Sequence, residues 1–158
     1  ELAAARTGAE DFGLRLAEIR AVAQQLLASG AIDLLDLSLW DVGKEPEESE
    51  FKGRSLLSYF TELDRGSVRI GAAGKIMSAD GARRVLAAGA DFCVIGRAAI
   101  LHHDFPRRVQ ADPGFEAVSL PVSAEHLRQE GLGPAFIGYM GTWKGFVQPA
   151  QSTEQARQ

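Results

Sequence analysis

Cysteine is almost absent. The 158-residue chain carries one, Cys93, which excludes an internal disulfide. It sits in the apolar run Phe92-Cys93-Val94-Ile95, which predicts a buried core thiol in a reducing cytosol rather than a reactive one. Positive charge is in deficit: 17 Lys and Arg against 21 Asp and Glu give a net charge of −4. No broad basic face is left for nucleic acid, and no basic amphipathic segment for a membrane surface. No apolar run approaches the ~20 residues that cross a bilayer. Nothing near Glu1 resembles a signal peptide. The first residue is Glu rather than Met, so the expectation is a processed N-terminus or part of a longer polypeptide.

What is present is globular. At 46% hydrophobic and 24% charged, the chain can bury one sizeable core, and collagen-like, coiled-coil and disordered classes are excluded. Residues 1–11 are Ala-rich and polar-ended, a loop or frayed entry. Phe12, Leu16, Ile19, Val22 and Leu26 recur at helical spacing and predict a helix from Phe12 to Ser29, stopped by Gly30. The mostly apolar run Ala31 to Trp40 reads as a buried strand. Asp41 to Arg54 is a charged loop, either a solvated surface or a lid over a site. Leu56 to Leu63 can form a short helix.

Val68 to Ala73 predicts a second strand, followed by a helix from Ala79 to Ala88 with Ser78 as its cap and Gly89 as its stop. A third strand covers Asp91 to Ile95. Helix then follows over Ala98 to Leu101 and, after the cap Asp104, over Phe105 to Gln110. Beyond Pro113 the chain is less regular, with a short helix from about Ser123 to Glu130 and the aromatics Phe136, Tyr139, Trp143 and Phe146. Strands separated by helices pair in parallel, so the class is α/β.

The chemistry is expected at two strand ends. Gly71-Ala72-Ala73-Gly74-Lys75-Ile76 leads into the helix capped by Ser78, and Val94-Ile95-Gly96-Arg97 into the helix at Ala98. Carboxyl ends of neighbouring parallel strands share one rim, where ligands bind. Glycine lets a backbone approach an anion closely, and arginine offers a planar charged fork matched to phosphate oxygens. Alone, Gly74 is a turn residue and Arg97 a surface arginine. Together, on successive βα units, they predict a phosphate cradle.

Ala72-Ala73-Gly74-Lys75-Ile76, Ala82-Arg83-Arg84-Val85-Leu86, Gly89-Ala90-Asp91 and Val94-Ile95-Gly96-Arg97-Ala98 resemble the C-terminal region of the old yellow enzyme family. These are FMN-dependent NAD(P)H oxidoreductases and ene-reductases on a (β/α)8 TIM barrel. Leu16 to Ser38 is similar to the family's fifth helix and sixth strand, and the resemblance covers roughly residues 10–112. It implies that the backbone of Ala73, Gly74 and Lys75, with Gly96 and Arg97, holds the FMN phosphate. Lys75 stands where members often have a small residue, which leaves its side chain incidental. The segment from Gly131 to Val147 looks like the C-terminal part of some members, where an aromatic lies near the flavin or at a subunit contact; packing against the barrel's outer surface is the alternative.

The family's substrate-binding His and Asn (or two His) and its tyrosine proton donor have no match here, so no catalytic residue is assigned to this chain. A full barrel needs about 250 residues and eight strands. By this resemblance residues 1–112 are C-terminal βα units of a barrel, with about three parallel strands and flanking helices. Residues 113–147 are a helical and aromatic extension, and 148–158 a disordered tail. An N-terminal portion, on a separate chain or missing segment, would complete the barrel. FMN, NAD(P)H, a small enone-type substrate, an oligomeric assembly and a cytoplasmic location are what it implies. The alternatives are another phosphate-binding barrel enzyme, an isomerase or aldolase using Asp36 or Lys75, and a non-catalytic half-barrel. His102, His103 and His126 are expected to face solvent, and no metal site is assigned to them.

Overall fold

A computed structural model describes residues 15–149. The expected entry over 1–11 and Phe12 lie outside the described residues. Helix α1 covers Leu16–Ala28, and Gly30 follows it at φ +67°. Its first amide, of Leu16, donates to Glu48 Oε1 at 2.9 Å, and the Arg15 amide donates to Glu18 Oε2 at 2.7 Å. Two carboxylates thus meet the positive end of the helix. Leu16, Ala23 and Leu27 are buried, with Ile19 packed beside them. Val22 and Leu26, expected on the buried stripe, are 48% and 42% exposed. The i, i+3, i+7, i+11 set holds one face, and these two trail off its side.

Strand β1 covers Leu34–Ser38, β2 Arg69–Ala73 and β3 Phe92–Val94. They form one parallel sheet in the order β1-β2-β3, with Leu37 opposite Ala72 and Ala72 opposite Cys93. Helix α2 (Ser58–Thr61) lies between β1 and β2, and α3 (Ala79–Ala87) between β2 and β3. Ser78 caps α3 as expected, its Oγ accepting the Gly81 amide at 3.0 Å.

Alternation sends Leu37, Ile70 and Ala72 toward the helices, into a core shared with Leu16, Ala23, Phe60 and Val85. The opposite face carries Leu34, Asp36, Ser38 and Phe92. An ideal Cβ on Gly71 would sit 2.6 Å from the Phe92 ring and 3.4 Å from Asp36 Oδ1, which places those three residues on that one face. Leu34 is 47% exposed, and among the described residues no helix covers this side. Parallel sheets ordinarily have both faces covered; the described residues cover one.

Helices α4 (Arg97–Leu101), α5 (Phe105–Ala111), α6 (Ala124–Gln129) and α7 (Pro134–Gly141) follow. Leu101, Val122, Leu127, Met140 and Phe146 form a second core. This module is stitched to the first by the Ala79 amide on Phe115 O (2.9 Å) and the Ala117 amide on Met77 O (2.8 Å). Asp104, expected to cap α5, makes no capping bond; its carboxylate accepts Arg108 Nε at 2.6 Å one turn on. Gln148, assigned to a disordered tail, is held by its amide on Val122 O at 2.8 Å, while 150–158 lie outside the described residues.

Candidate functional site

The carboxyl ends of the three strands share one rim. Beyond β1 the ladder continues: the Leu39 amide donates to Ala73 O at 2.9 Å and the Val42 amide to Gly74 O at 3.3 Å. Gly74 has φ +150°, and a Cβ there would lie 2.8 Å from Asp41 N and 2.9 Å from Trp40 C. Only glycine lets the two loops meet at that distance. Lys75 follows at φ +47°, and its Nζ pairs with Asp41 Oδ2 at 3.0 Å. Burial alone would raise the Asp41 pKa, but the Lys75 ammonium and the Gly43 amide outweigh it and hold the carboxyl below its usual range.

The third turn is Ile95-Gly96-Arg97. A Cβ on Gly96 would meet nothing within 4 Å, so its backbone is open to approach. Arg97 is half-buried and, among the described residues, has no carboxylate within 4.0 Å. Its guanidinium carbon lies 5.8 Å from the centre of the Trp40 ring. The amides of Lys75, Gly96 and Arg97 donate to no acceptor among the described residues, whereas the pairing of Ala73 with Val94 turns the Gly74 amide toward β3. Lys75 and Asp41 neutralise one another, and Arg97 is paired with no carboxylate among the described residues. Unpaired amides and a free planar cation suit an anion with several oxygens.

Of the sequence-assigned residues, Gly74, Lys75, Gly96 and Arg97 therefore meet at adjoining turns. Ala73 ends β2 with its carbonyl committed to Leu39. The Lys75 side chain is engaged by Asp41, leaving its backbone as the part open to a ligand. Trp40, the last residue of the strand expected from sequence, lies two residues beyond the end of β1; its signal is an aromatic at the end of an apolar run, directly before Asp41.

The loop after β1 is tied to the helical layer. Glu48 bonds α1, and Tyr59 Oη donates to Phe51 O at 2.8 Å while the two rings meet edge to face. Cys93, expected in the buried core, is half-buried at its edge; it turns toward α3, with Sγ 3.6 Å from Ala82 O, and burial raises its thiol pKa. The histidines depart from expectation. His103 is exposed, but His102 is 4% exposed and His126 is half-buried. Phe115 packs edge to face on His102, a contact between segments that local patterning does not reveal.

His102, His126 and Glu130 bring ligand-type atoms within 4.8 Å of one another. The Val118 amide donates to His102 Nε2 at 3.0 Å, so the ring proton of the neutral form is on Nδ1, 3.7 Å from Glu130 Oε1. A metal ion would need a lone pair on that Nδ1, so the donor set does not suit one. Glu130 Oε2 instead accepts the His103 amide at 2.9 Å and His103 Nδ1 at 2.7 Å, tying α6 to the turn after α4. Of the four C-terminal aromatics, Phe146 is buried, and Phe136, Tyr139 and Trp143 stand exposed in a line with centroids 5.8 and 5.9 Å apart.

The chain matches no protein-family model and no curated protein sequence.

Proposed function

We propose that this chain is the FMN-phosphate-binding portion of a flavin-dependent NAD(P)H oxidoreductase that reduces activated alkenes. The observation that carries it is the rim: three unpaired amides, of Lys75, Gly96 and Arg97, beside a guanidinium that has no carboxylate partner among the described residues. These residues fit a phosphate monoester. Gly96 leaves the backbone open, Gly74 brings the neighbouring loop close, and Arg97 supplies charge and bidentate geometry. Bound FMN would supply hydride transfer, from NAD(P)H and on to the β-carbon of an enone-type substrate. The chain's own part is to anchor the phosphate and fix the cofactor's place.

The one-sided sheet supports the same reading. Helices cover one face, while Leu34, Asp36 and Ser38 on the other are exposed, and among the described residues no further strand pairs with either edge. The C-terminal βα units of a (β/α)8 barrel have that form, with the bare face toward the barrel interior and the N-terminal portion as the completing partner. A cytoplasmic location and an oligomeric assembly belong to the same proposal. Among the described residues no helix is long and apolar enough to cross a membrane. A sugar-phosphate aldolase or isomerase would use the same cradle but needs a lysine or carboxylate at a strand end. Lys75 is paired with Asp41, and Asp36 lies within β1.

The test is cofactor retention. Protein incubated with FMN and desalted should keep an absorbance band near ~450 nm, the signature of oxidised flavin. Arg97→Ala should lose it, and retention unaltered by that change would count against the assignment. Native mass spectrometry of the assembly should show a second polypeptide supplying the remaining strands.

A further inference from the structure

We infer that Trp40 is a positioning residue that holds the Arg97 guanidinium over the rim for a phosphate monoester. The inference rests on the reading of the rim as a phosphate site and adds a residue that neither the sequence motifs nor the family resemblance assigned.

Trp40 is placed at a conformational cost. It has φ +58°, a region that bulky side chains rarely enter, and the Asp41 amide donates back to Leu39 O around it. That is a γ-turn with positive φ, a strained form. The strain is over-determined by the neighbours. Leu39 is bonded to Ala73 and Val42 to Gly74, so the residues on both sides of Trp40 are sutured to the loop after β2. Its indole gains no core for this: it is 68% exposed, the most exposed large hydrophobic side chain among the described residues. Within the described residues, burial of the indole does not offset the strain of the turn.

What the turn achieves is reach. β2 separates β1 from β3, yet Trp40, which follows β1, meets Arg97, which follows β3. It does so at the point where the loop between them is Gly74, without a side chain. The guanidinium carbon lies over the ring, 5.8 Å from its centroid, an arrangement that occupies none of its N–H donors. A carboxylate partner would hold Arg97 equally well but would neutralise it and occupy its fork. An aromatic face orients the cation and leaves charge and donors available to an anion.

The experiment compares FMN with riboflavin, which lacks the phosphate, and with inorganic phosphate. Trp40→Ala should weaken FMN binding by about 3- to 30-fold and leave riboflavin binding unchanged. Trp40→Phe should recover most of the loss. Trp40→Ala added to Arg97→Ala should cost nothing further, because the effect passes through Arg97. In a Trp143→Phe background, Trp40 fluorescence should respond to inorganic phosphate, and Arg97→Ala should abolish the response. Equal weakening of FMN and riboflavin, or no weakening by Trp40→Ala where Arg97→Ala weakens, overturns the inference while the flavin assignment stands. Absence of FMN binding with an Arg97-dependent phosphate response overturns the flavin assignment and upholds the role of Trp40. Absence of both overturns both.

Discussion

The backbone amide of Val118 donates to Nε2 of His102 at 3.0 Å, and this bond keeps a buried imidazole neutral. A second proton would have to enter at Nε2, where that amide already points. Burial lowers the His102 pKa, the Arg108 guanidinium lowers it further, and Glu130 opposes them without prevailing. His126 and Asp104 also face the ring, with opposite and smaller effects.

Stability should therefore depend on pH through His102. Its pKa in the folded chain is below the ordinary 6.5, so the unfolded chain binds the proton more readily. The stabilisation is complete above that value and is lost as pH falls through the lowered folded pKa. Urea midpoints should decline from about pH 7.5 to about pH 5.5. His102→Gln, which can still accept the Val118 amide but cannot titrate, should flatten the decline; an unchanged slope would place the titrating group elsewhere.

Gly74→Ala should disable the rim without unfolding the core. Its Cβ would fall 2.8 to 3.0 Å from the backbone of Trp40, Asp41 and Val42, at a φ of +150°. Backbone cannot swing aside as a side-chain tip can, so the loop after β1 must separate from β2. We expect a loss of about 1–3 kcal/mol in denaturant unfolding, with phosphate binding abolished. Gly96→Ala, whose Cβ meets open space, should cost far less stability. Similar losses for both would mean that the loops are not packed as described.

The α/β order was legible because its signals are local. Apolar spacing marks α1, Ser78 stands one residue before α3, and Gly30 and Gly89 take the positive φ of helix ends. The adjacency of the Gly74 and Arg97 turns followed from parallel pairing, a topological rule that spacing alone could invoke. What could not be read depends on partners far along the chain. Trp40 is bent by bonds to Ala73 and Gly74, and the Lys75–Asp41 pair spans 34 residues. His102 reads as polar until Phe115 and Val118 are brought over it. Asp104 fails as a cap because Arg108, four residues on, takes its carboxylate.

The two cores should respond as parts of one cooperative unit. Ile70 in the first and Leu127 in the second are both fully buried. Truncating either to alanine should cost about 2–5 kcal/mol in denaturant unfolding. Hydrogen exchange should show protection falling in both modules in each variant, because the paired segments Met77–Ala79 and Phe115–Ala117 join them. Loss confined to α6 and α7 in Leu127→Ala would identify the C-terminal module as a separately unfolding unit.

Leu34 offers the sharpest test of the bare sheet face. It is 47% exposed, and Asp36 and Ser38 beside it on that face are exposed as well. In a barrel the same positions would be interior, packed against strands that the completing portion supplies. Leu34→Lys should therefore shift the stability of this chain alone by no more than about 0.5 kcal/mol, as at other exposed sites. In the assembled protein the lysine would be buried without a partner, and association should fail in native mass spectrometry. The unfolding midpoint of the assembly should also rise with protein concentration, as mass action requires when folding and association are linked. A midpoint independent of concentration, with Leu34→Lys harmless throughout, would mean that the bare face is the chain's finished state and that the half-barrel proposal is wrong.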